Sequence, residues 1–153
     1  MKPRLVVLLT VAGDQLTKSA IRAALRPTQS IPLIPSVLHL TYVQNTGAAF
    51  GLFQGYTGVF ILLSVAVTAW ILAVFLRTRS PMPRLTATGL ALVLSGALGN
   101  LIDRVRFGYV VDFIDIRIWP VFNVADSAIT IGVGLLLWQS LFLRDGRRTP
   151  DKG

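Results

Sequence analysis

The sequence predicts a membrane α-helical protein, built as a four-transmembrane-helix bundle with a small extracytoplasmic β-platform. Hydrophobic residues make up 53% of the 153 residues, and the mean hydropathy is +0.64. Charged residues make up only 14%, against about 25% in ordinary soluble domains. We therefore expect one integral membrane domain that covers residues 1–153.

Four apolar stretches have about the 20 residues that a helix needs to cross a bilayer. They cover about residues 5–25, 56–76, 85–102 and 122–143. Basic residues cluster at the N terminus, between the second and third stretches, and in the C-terminal tail: Lys2, Arg4, Arg77, Arg79, Arg84, Arg144, Arg147, Arg148 and Lys152. Because cytoplasmic loops carry the excess of Lys and Arg, we expect both termini in the cytoplasm. The net charge of +8 then reflects contact with anionic lipid headgroups, not nucleic-acid binding.

The first helix resembles the start of a secretory signal peptide, but no small-residue cleavage site follows its apolar run, so we expect it to stay uncleaved. Nine residues separate Arg4 from Asp14, which places Asp14 roughly 15 Å along a straight helix. Asp14 and Lys18 have the i, i+4 spacing of an ion pair. The pair either neutralises itself so that the helix can insert, or faces a site and positions the outer platform.

The segment after the first helix predicts the outer β-platform, over about residues 27–55. Pro27, Pro32 and Pro35 exclude a helix at its start, and residues 38–44 alternate with period two, as in a strand. Asn45-Thr46-Gly47 has turn chemistry, and the small residues that follow up to Gly51 could admit a substrate backbone. In the outer loop, about residues 103–121, positions 108–115 also favour a strand.

The residue inventory excludes several kinds of site. The chain has no cysteine and no glutamate, and its single histidine, His39, is expected in a strand. A thiolate nucleophile, a cysteine-ligated metal and a histidine-rich zinc site are therefore impossible. The seven acids are all aspartates, and five of them lie in or beside apolar segments, where a carboxylate is costly and indicates function.

Asp112 and Asp126 are the strongest candidates for a catalytic pair, because they flank one outer loop and the start of the fourth helix. Two neighbouring carboxyl groups that share a proton can hydrolyse a peptide bond, with one taking a proton from water and the other polarising the carbonyl. Alternatively they are two separate interfacial aspartates. A serine–lysine pair is a further alternative, with Ser19, Ser95 or Ser127 as nucleophile.

Polar residues at the ends of the third and fourth helices surround this pair. Asn100 and Asp103, spaced i, i+3, share a helix face, and we expect Asp103 to form a salt bridge with Arg104. Asn123 is predicted as the N-cap of the fourth helix, with Asp126 in its first turn. Three glycines of the third helix are expected to let helices pack closely: Gly89, Gly96 and Gly99.

Five motifs occur in one order along the chain, and together they resemble the bacterial lipoprotein signal peptidase (signal peptidase II) family over about residues 5–143. They are Asp14-Gln15-Leu16-Thr17-Lys18, Asn45-Thr46-Gly47-Ala48-Ala49-Phe50, Gly99-Asn100-Leu101-Ile102-Asp103-Arg104, Val110-Val111-Asp112-Phe113 and Phe122-Asn123-Val124-Ala125-Asp126-Ser127. The stretch before Asp14 is short for the family.

The resemblance implies an aspartyl endopeptidase of the bacterial cytoplasmic membrane, which cuts prolipoproteins just before a diacylglyceryl-modified cysteine. It implies that Asp112 and Asp126 form the catalytic dyad. The other matching positions would bind substrate or support the dyad: Asp14, Lys18, Asn45, Gly47, Asn100, Asp103, Arg104, Asn123 and Ala125. It also implies an enzyme without a metal or cofactor, and we expect a monomer that contacts membrane lipids.

Two other functions stay open at this point. A small proton-coupled carrier would use Asp14 or Asp126 to bind a cation within the bundle. A non-catalytic assembly factor would bind lipoprotein signal helices and would tolerate the loss of either dyad aspartate.

Overall fold

The computed structural model describes residues 2–47, 55–78 and 82–142. Helices and strands follow one another in these segments as α1 (Pro3–Ala24), β1 (Ser30–Ile34), β2 (Leu38–Asn45), α2 (Thr57–Arg77), α3 (Arg84–Phe107), β3 (Val110–Asp115) and α4 (Val124–Phe142). Each of the four stretches predicted to be helical contains a helix, and the two segments predicted as strands contain β2 and β3. Residues 48–54, which belong to the predicted platform, and the basic tail lie outside the described residues.

Within the described segments, three helices are long and apolar enough to cross a membrane: α2, α3 and α4. Helix α1 has the predicted length, but it carries Arg4, Asp14, Lys18 and Arg22 within its 22 residues. Two of these charges, on Asp14 and Lys18, are buried inside the protein. The structure therefore matches the membrane-helix prediction for three of the four stretches, and the span formed by α1 stays a prediction.

Helix α3 is the centre of the bundle, since it packs against α1, α2 and α4. Glycines make its approach to α4 close, as the sequence predicts. A Cβ added at Gly96 would collide with the backbone oxygen of Ala125 and the side chain of Ile129, and one added at Gly89 would lie 3.0 Å from the backbone oxygen of Gly132. The short distance between α3 and α4 brings the polar ends of both helices together.

The three strands form one antiparallel sheet in the order β1-β2-β3. One face packs on the end of α1 through a core of buried apolar side chains: Ile21, Leu25, Tyr42, Val111 and Phe113. The register shifts between Leu40 and Val43, where β2 advances three residues while β3 advances two. Such a bulge re-aims the side chains that follow it, and here the next part of β2 leads to Asn45.

Helix α3 extends further than the sequence predicted. We expected it to end near residue 102 and an outer loop to begin at 103, but the helix continues to Phe107 and ends at Gly108, whose φ of 80° is left-handed. The hydrophobicity of the sequence stops at Asp103, whereas the backbone meets no helix-ending residue before this glycine. Asp103 and Arg104 are therefore helical residues that project from the last turns of α3.

Candidate active site

A cavity of about 280 Å³ lies where the end of β2, β3 and the ends of α3 and α4 meet. Both predicted dyad residues, Asp112 and Asp126, line it, together with three polar residues on which the prediction also placed a role: Asn45, Asn100 and Arg104. The remaining wall is mostly apolar and includes Trp119, Pro120, Val121, Phe122 and Ile129. The cavity thus combines a cluster of acids and amides with an apolar wall.

Asp112 projects from β3 and is only 2% exposed. Its Oδ1 accepts a hydrogen bond from Nδ2 of Asn123 at 2.6 Å, and its Oδ2 accepts one from Nδ2 of Asn45 at 2.9 Å. Burial and the negative charge of Asp126 raise the pKa of Asp112 to about 7, although the two amides favour its ionised form. This carboxyl group therefore keeps its proton to a much higher pH than an ordinary aspartate does.

The position of Asn45 follows from the fold of the sheet. Val43 lies opposite Asp112 in the register, and Asn45 lies opposite Val110, so Asn45 and Asp112 are diagonal neighbours within reach of polar side chains. The Oδ1 of Asn45 accepts a hydrogen bond from the backbone N–H of Gly47 at 2.9 Å, which leaves its amide nitrogen free to face Asp112. The turn motif therefore delivers a hydrogen-bond donor to the site.

Asp126 lies in the first turn of α4 and is bound by a reciprocal cap. The Oδ1 of Asn123 accepts a hydrogen bond from the Asp126 N–H at 2.9 Å, and Oδ2 of Asp126 accepts one from the Asn123 N–H at 3.2 Å. This is the geometry of a capping box, and it confirms the predicted cap role of Asn123. The other carboxylate oxygen, Oδ1, accepts a hydrogen bond from Nδ2 of Asn100 at 2.8 Å.

The amides of Asn100 and Asn123 also bond to each other. Nδ2 of Asn123 donates to Oδ1 of Asn100 at 3.1 Å, in addition to its bond to Asp112. Asn123 is fully buried, and each of its amide atoms has a partner. The two asparagines therefore connect the strand-borne carboxyl group with the helix-borne one.

Lys18 of α1 lies behind the asparagines and is 2% exposed. Its Nζ is 2.9 Å from Oδ2 of Asp14, 3.0 Å from Oδ2 of Asp103 and 2.9 Å from Oδ1 of Asn100. The predicted Asp14–Lys18 ion pair is therefore present. Its hydrogen bond to Asn100 agrees with the alternative in which the pair faces a site.

The two carboxylates that bind Lys18 are held by backbone groups from other elements. Oδ1 of Asp14 accepts a hydrogen bond from the N–H of Ala125 at 2.9 Å, and Oδ2 of Asp103 accepts one from the N–H of Val111 at 3.0 Å. Ala125, a predicted site residue, thus contributes its backbone, and its fully buried methyl group packs near Gly99. These bonds tie α1 to α4 and α3 to β3.

Sequence reasoning missed Gln15 as part of this cluster. Its Nε2 lies within hydrogen-bond distance of Oδ1 of Asp103 (3.0 Å), the backbone oxygen of Gly99 (3.1 Å) and Oδ2 of Asp14 (3.2 Å). Gln15 follows Asp14 in the first motif, but only the packing of α1 against α3 shows its partners.

The expected salt bridge between Asp103 and Arg104 is wrong. Adjacent helical residues point about 100° apart and do not face each other, so Asp103 turns to Lys18 while Arg104 turns to the cavity. Arg104 donates from Nη2 to the backbone oxygen of Gly47 at 3.1 Å, and its guanidinium carbon lies 4.9 Å from the centroid of the Phe60 ring. Arg104 and Gly47 therefore meet at the cavity wall. Residues 48–51, which follow Gly47 after the predicted turn, lie outside the described residues.

Two serines considered as nucleophiles are engaged elsewhere. The hydroxyl of Ser95 donates to the backbone oxygen of Ala91 at 2.5 Å, and that of Ser127 donates to the backbone oxygen of Asn123 at 3.0 Å. Lys18 is bound to Asp14, Asp103 and Asn100. The geometry therefore favours the two carboxyl groups as the reactive pair.

Comparisons with known proteins identify the family of this chain. Residues 6–142 match the family model described as Signal peptidase (SPase) II. The chain is 56% identical over 137 residues to a lipoprotein signal peptidase of Moorella thermoacetica, covering 90% of this chain and 91% of that protein. It is 49% identical over 138 residues to a lipoprotein signal peptidase of Halothermothrix orenii, covering 88% of this chain and 94% of that protein.

Solved structures show the same fold. A bacterial membrane enzyme determined by the in meso method at 2.3 Å resolution superposes with a TM-score of 0.87 at 32% identity, covering 99% of this chain and 93% of that chain. Another bacterial membrane enzyme, determined by the same method at 1.9 Å, superposes with a TM-score of 0.82 at 35% identity, covering 92% of each chain.

Proposed function

This chain belongs to the signal peptidase II family, and from that premise we propose that it is an aspartyl endopeptidase that removes signal peptides from diacylglyceryl-modified prolipoproteins. The observation that supports the proposal is the juxtaposition of Asp112 and Asp126 in one cavity, each bound by asparagine amides. The cut falls just before the lipidated cysteine. The family match favours this function over the proton-coupled carrier.

The proposed reaction uses the two carboxyl groups in opposite protonation states. Asp126 is ionised and takes a proton from a water molecule, while the water oxygen attacks the scissile carbonyl carbon. Asp112, whose pKa of about 7 favours the protonated form, donates a hydrogen bond to the carbonyl oxygen and stabilises the tetrahedral intermediate. The intermediate collapses when the carbon–nitrogen bond breaks and the departing amine takes a proton from the dyad.

The asparagines would hold the dyad in this geometry during the reaction. Asn45 and Asn123 orient Asp112, and Asn100 and the cap at Asn123 orient Asp126. Arg104, which lines the same cavity and contacts the oxygen of Gly47, is placed to hold the substrate peptide backbone beside the dyad.

An open apolar groove continues from the dyad along α4. Its lining combines Asp126 with apolar and small side chains: Ile116, Trp119, Phe122, Ser127, Thr130 and Ile131. We place the acyl chains of the substrate in or beside this groove, since a diacylglyceryl group next to the scissile bond needs an apolar surface there. Binding of the acyl chains would thus supply affinity through atoms that take no part in the reaction.

We also propose a membrane arrangement in which α1 is the fourth span and residues 1–153 form a single domain. The buried charges of α1 are accommodated because Asp14 and Lys18 pair inside the bundle. The protein would be a monomer in the bacterial cytoplasmic membrane, with both termini in the cytoplasm, the sheet at the outer surface and membrane lipids around α2. Exposed apolar side chains along α2, such as Leu62, Leu63 and Trp70, suit contact with lipid.

Cleavage of two matched substrates tests the proposed function. Purified protein in detergent micelles receives a prolipoprotein peptide with and without the diacylglyceryl group, and mass spectrometry identifies the products. We expect a single cut before the cysteine, and cleavage of the lipidated form at least about tenfold faster. Equal cleavage of both forms, or a cut at another bond, would contradict the proposal.

A serine variant is a matched control for the chemistry. Ser95→Ala removes a buried hydroxyl that bonds to the helix backbone, and we expect it to cleave like the wild type. Loss of cleavage by a folded Ser95→Ala protein would instead favour a serine nucleophile.

A further inference from the structure

Lys18 uses its full hydrogen-bonding capacity inside the protein. An ammonium group carries three donors and no acceptor, and Nζ of Lys18 has three acceptors within 3.0 Å, on Asp14, Asp103 and Asn100. The two aspartates hold the ammonium in place, because backbone N–H groups of Ala125 and Val111 fix them in turn. The bond to Asn100 is the one that leads towards the dyad.

A cation next to an amide decides which way the amide faces. Because the ammonium can only donate, the atom of Asn100 that meets Lys18 must be the oxygen Oδ1, and Nδ2 must then face away, towards Asp126. A flipped amide would place N–H groups against the ammonium and an oxygen against the Asp126 carboxylate. Both contacts would be repulsive, so Lys18 and Asp126 select the same orientation from opposite sides.

The same oxygen also orients the second asparagine. Oδ1 of Asn100 accepts a hydrogen bond from Nδ2 of Asn123, whose other hydrogen is directed to Asp112 and whose oxygen accepts the N–H of Asp126. Oδ1 of Asn100 therefore accepts from both Lys18 and Asn123, and this hydrogen-bond network links one buried cation through two amides to both carboxyl groups.

We propose that Lys18 is a positioning residue for the whole dyad, because its charge fixes the amide orientations through which Asn100 and Asn123 present donors to Asp126 and Asp112. The inference rests on the proposed function, since it assigns a role within that site. A cation on α1 thus influences the reactivity of the carboxyl groups on β3 and α4. Lys18 acts through the asparagines and needs no contact with the substrate.

Lys18 should affect the pH profile of kcat as well as its magnitude. The charged groups around the dyad come from α1 (Asp14 and Lys18) and α3 (Asp103 and Arg104). Removal of Lys18 takes away a positive charge and releases both amides, and each change disfavours ionised carboxylates. The pH profile of kcat should therefore move to higher pH. A purely structural ion pair would leave that profile in place.

A double-mutant cycle with Lys18→Met and Asn100→Leu tests whether Lys18 acts through Asn100. The assay measures kcat, KM and the pH profile for a diacylglyceryl-modified peptide, and thermal unfolding in detergent checks the fold. We expect Lys18→Met to lower kcat at least about tenfold with KM within about threefold. Added to Asn100→Leu, it should lower kcat by less than about threefold more. Independent, multiplying effects on kcat or an unmoved pH profile would overturn the proposal.

Gln15→Leu is the matched control, because Gln15 contacts Asp14 and Asp103 but has no bond to Asn100 among its contacts in the described segments. It should lower the unfolding temperature without moving the pH profile. If Gln15→Leu moved the pH profile as far as Lys18→Met does, the cluster would act through stability alone, and the proposal would be contradicted.

Asn100→Asp keeps the test decisive if Lys18→Met does not fold. The variant retains an oxygen for Lys18 but replaces the donor that faces Asp126 by a second oxygen. We expect a folded protein with kcat lowered about tenfold or more and a profile moved to higher pH. A wild-type profile would overturn the proposal. Failure of the wild type to cleave would instead defeat the proposed function, so the two failures are distinguishable.

Discussion

Nδ2 of Asn123 donates a 2.6 Å hydrogen bond to Oδ1 of Asp112, while the backbone of the same asparagine binds Oδ2 of Asp126 at 3.2 Å. One residue therefore sets the placement of a carboxyl group on a strand relative to a carboxyl group on a helix. The two acids reach one cavity because the residue between them is at once the N-cap of α4 and a side-chain donor to β3.

Asn123→Asp separates these two roles. The variant keeps an oxygen that can cap α4, but it replaces the donor to Asp112 and Asn100 by a second oxygen. Because loss of the donor leaves a buried oxygen of Asp112 without its partner, at a cost of about 1–3 kcal/mol, we expect kcat to fall about 10- to 100-fold. Steady-state cleavage of the lipidated peptide measures the change, and circular dichroism checks the helix content. A folded variant with wild-type kcat would show that the amide donor is dispensable.

Asn45→Asp and Asn45→Ala separate the turn from the donor in the same manner. Asn45 accepts from the Gly47 N–H and donates to Asp112, so the aspartate variant retains the turn but turns an oxygen, in place of the donor, towards Asp112. We expect both variants to lose about tenfold or more in kcat, and only the alanine variant to unfold at a markedly lower temperature. If Asn45→Asp were fully active, the bulged part of β2 would serve the turn alone.

Burial of Asp112 makes stability depend on pH. Its pKa is raised from 3.8 to about 7 in the folded protein, so the folded state holds a proton that the unfolded state has released at intermediate pH. The contribution of Asp112 to the free energy of unfolding is therefore complete below about pH 4 and is lost as the pH rises to about 7. A pKa shift of this size corresponds to a loss of at most about 4 kcal/mol in the free energy of unfolding, and we expect a loss on the order of 2 kcal/mol.

Chemical unfolding of the wild type and Asp112→Asn at pH 5 and pH 8 measures this effect. The variant has no proton to lose, so its stability relative to the wild type should improve between the two pH values. A difference that stays constant would show that Asp112 titrates normally.

Gly99 allows the acid of α1 to approach α3. A Cβ added at this position would lie 2.6 Å from Oδ2 of Asp14 and 3.2 Å from the Cβ of Ala125, so Gly99→Ala should displace the Lys18 cluster and destabilise the protein by about 1–3 kcal/mol. Gly134→Ala in α4 is the matched control, because a Cβ there meets no atom of the described residues within 4 Å. Thermal unfolding of both variants in one detergent checks this. Equal stability of the two would contradict the close approach.

Local spacing was sufficient to predict part of the site. The i, i+4 spacing of Asp14 and Lys18 predicted their ion pair, and the position of Asn123 before an apolar run predicted its cap. Both interactions lie within a few residues along one helix, so the backbone geometry of that helix decides them.

The remaining contacts depend on how the elements pack. The bonds from Lys18 to Asp103 and Asn100 exist because α1 and α3 approach at Gly99. The sequence marked Gly99 as a close-packing position, but it did not show which helix packs there or which side chains meet. The bulge in β2 and the end of α3 at Gly108 were also missed. Apolar composition indicates where a helix can be buried in lipid, whereas the backbone continues until a residue ends it.

The central claim is that Asp112 and Asp126 act together on the peptide bond, and cleavage by Asp112→Asn and Asp126→Asn tests it most directly. Each substitution keeps the size of the side chain and removes its ability to exchange a proton. With a diacylglyceryl-modified prolipoprotein in detergent micelles, we expect the wild type to cleave and each folded single variant to lose at least about 10³-fold in kcat. A folded single variant that cleaves at the wild-type rate would contradict the claim and remove that aspartate from the dyad.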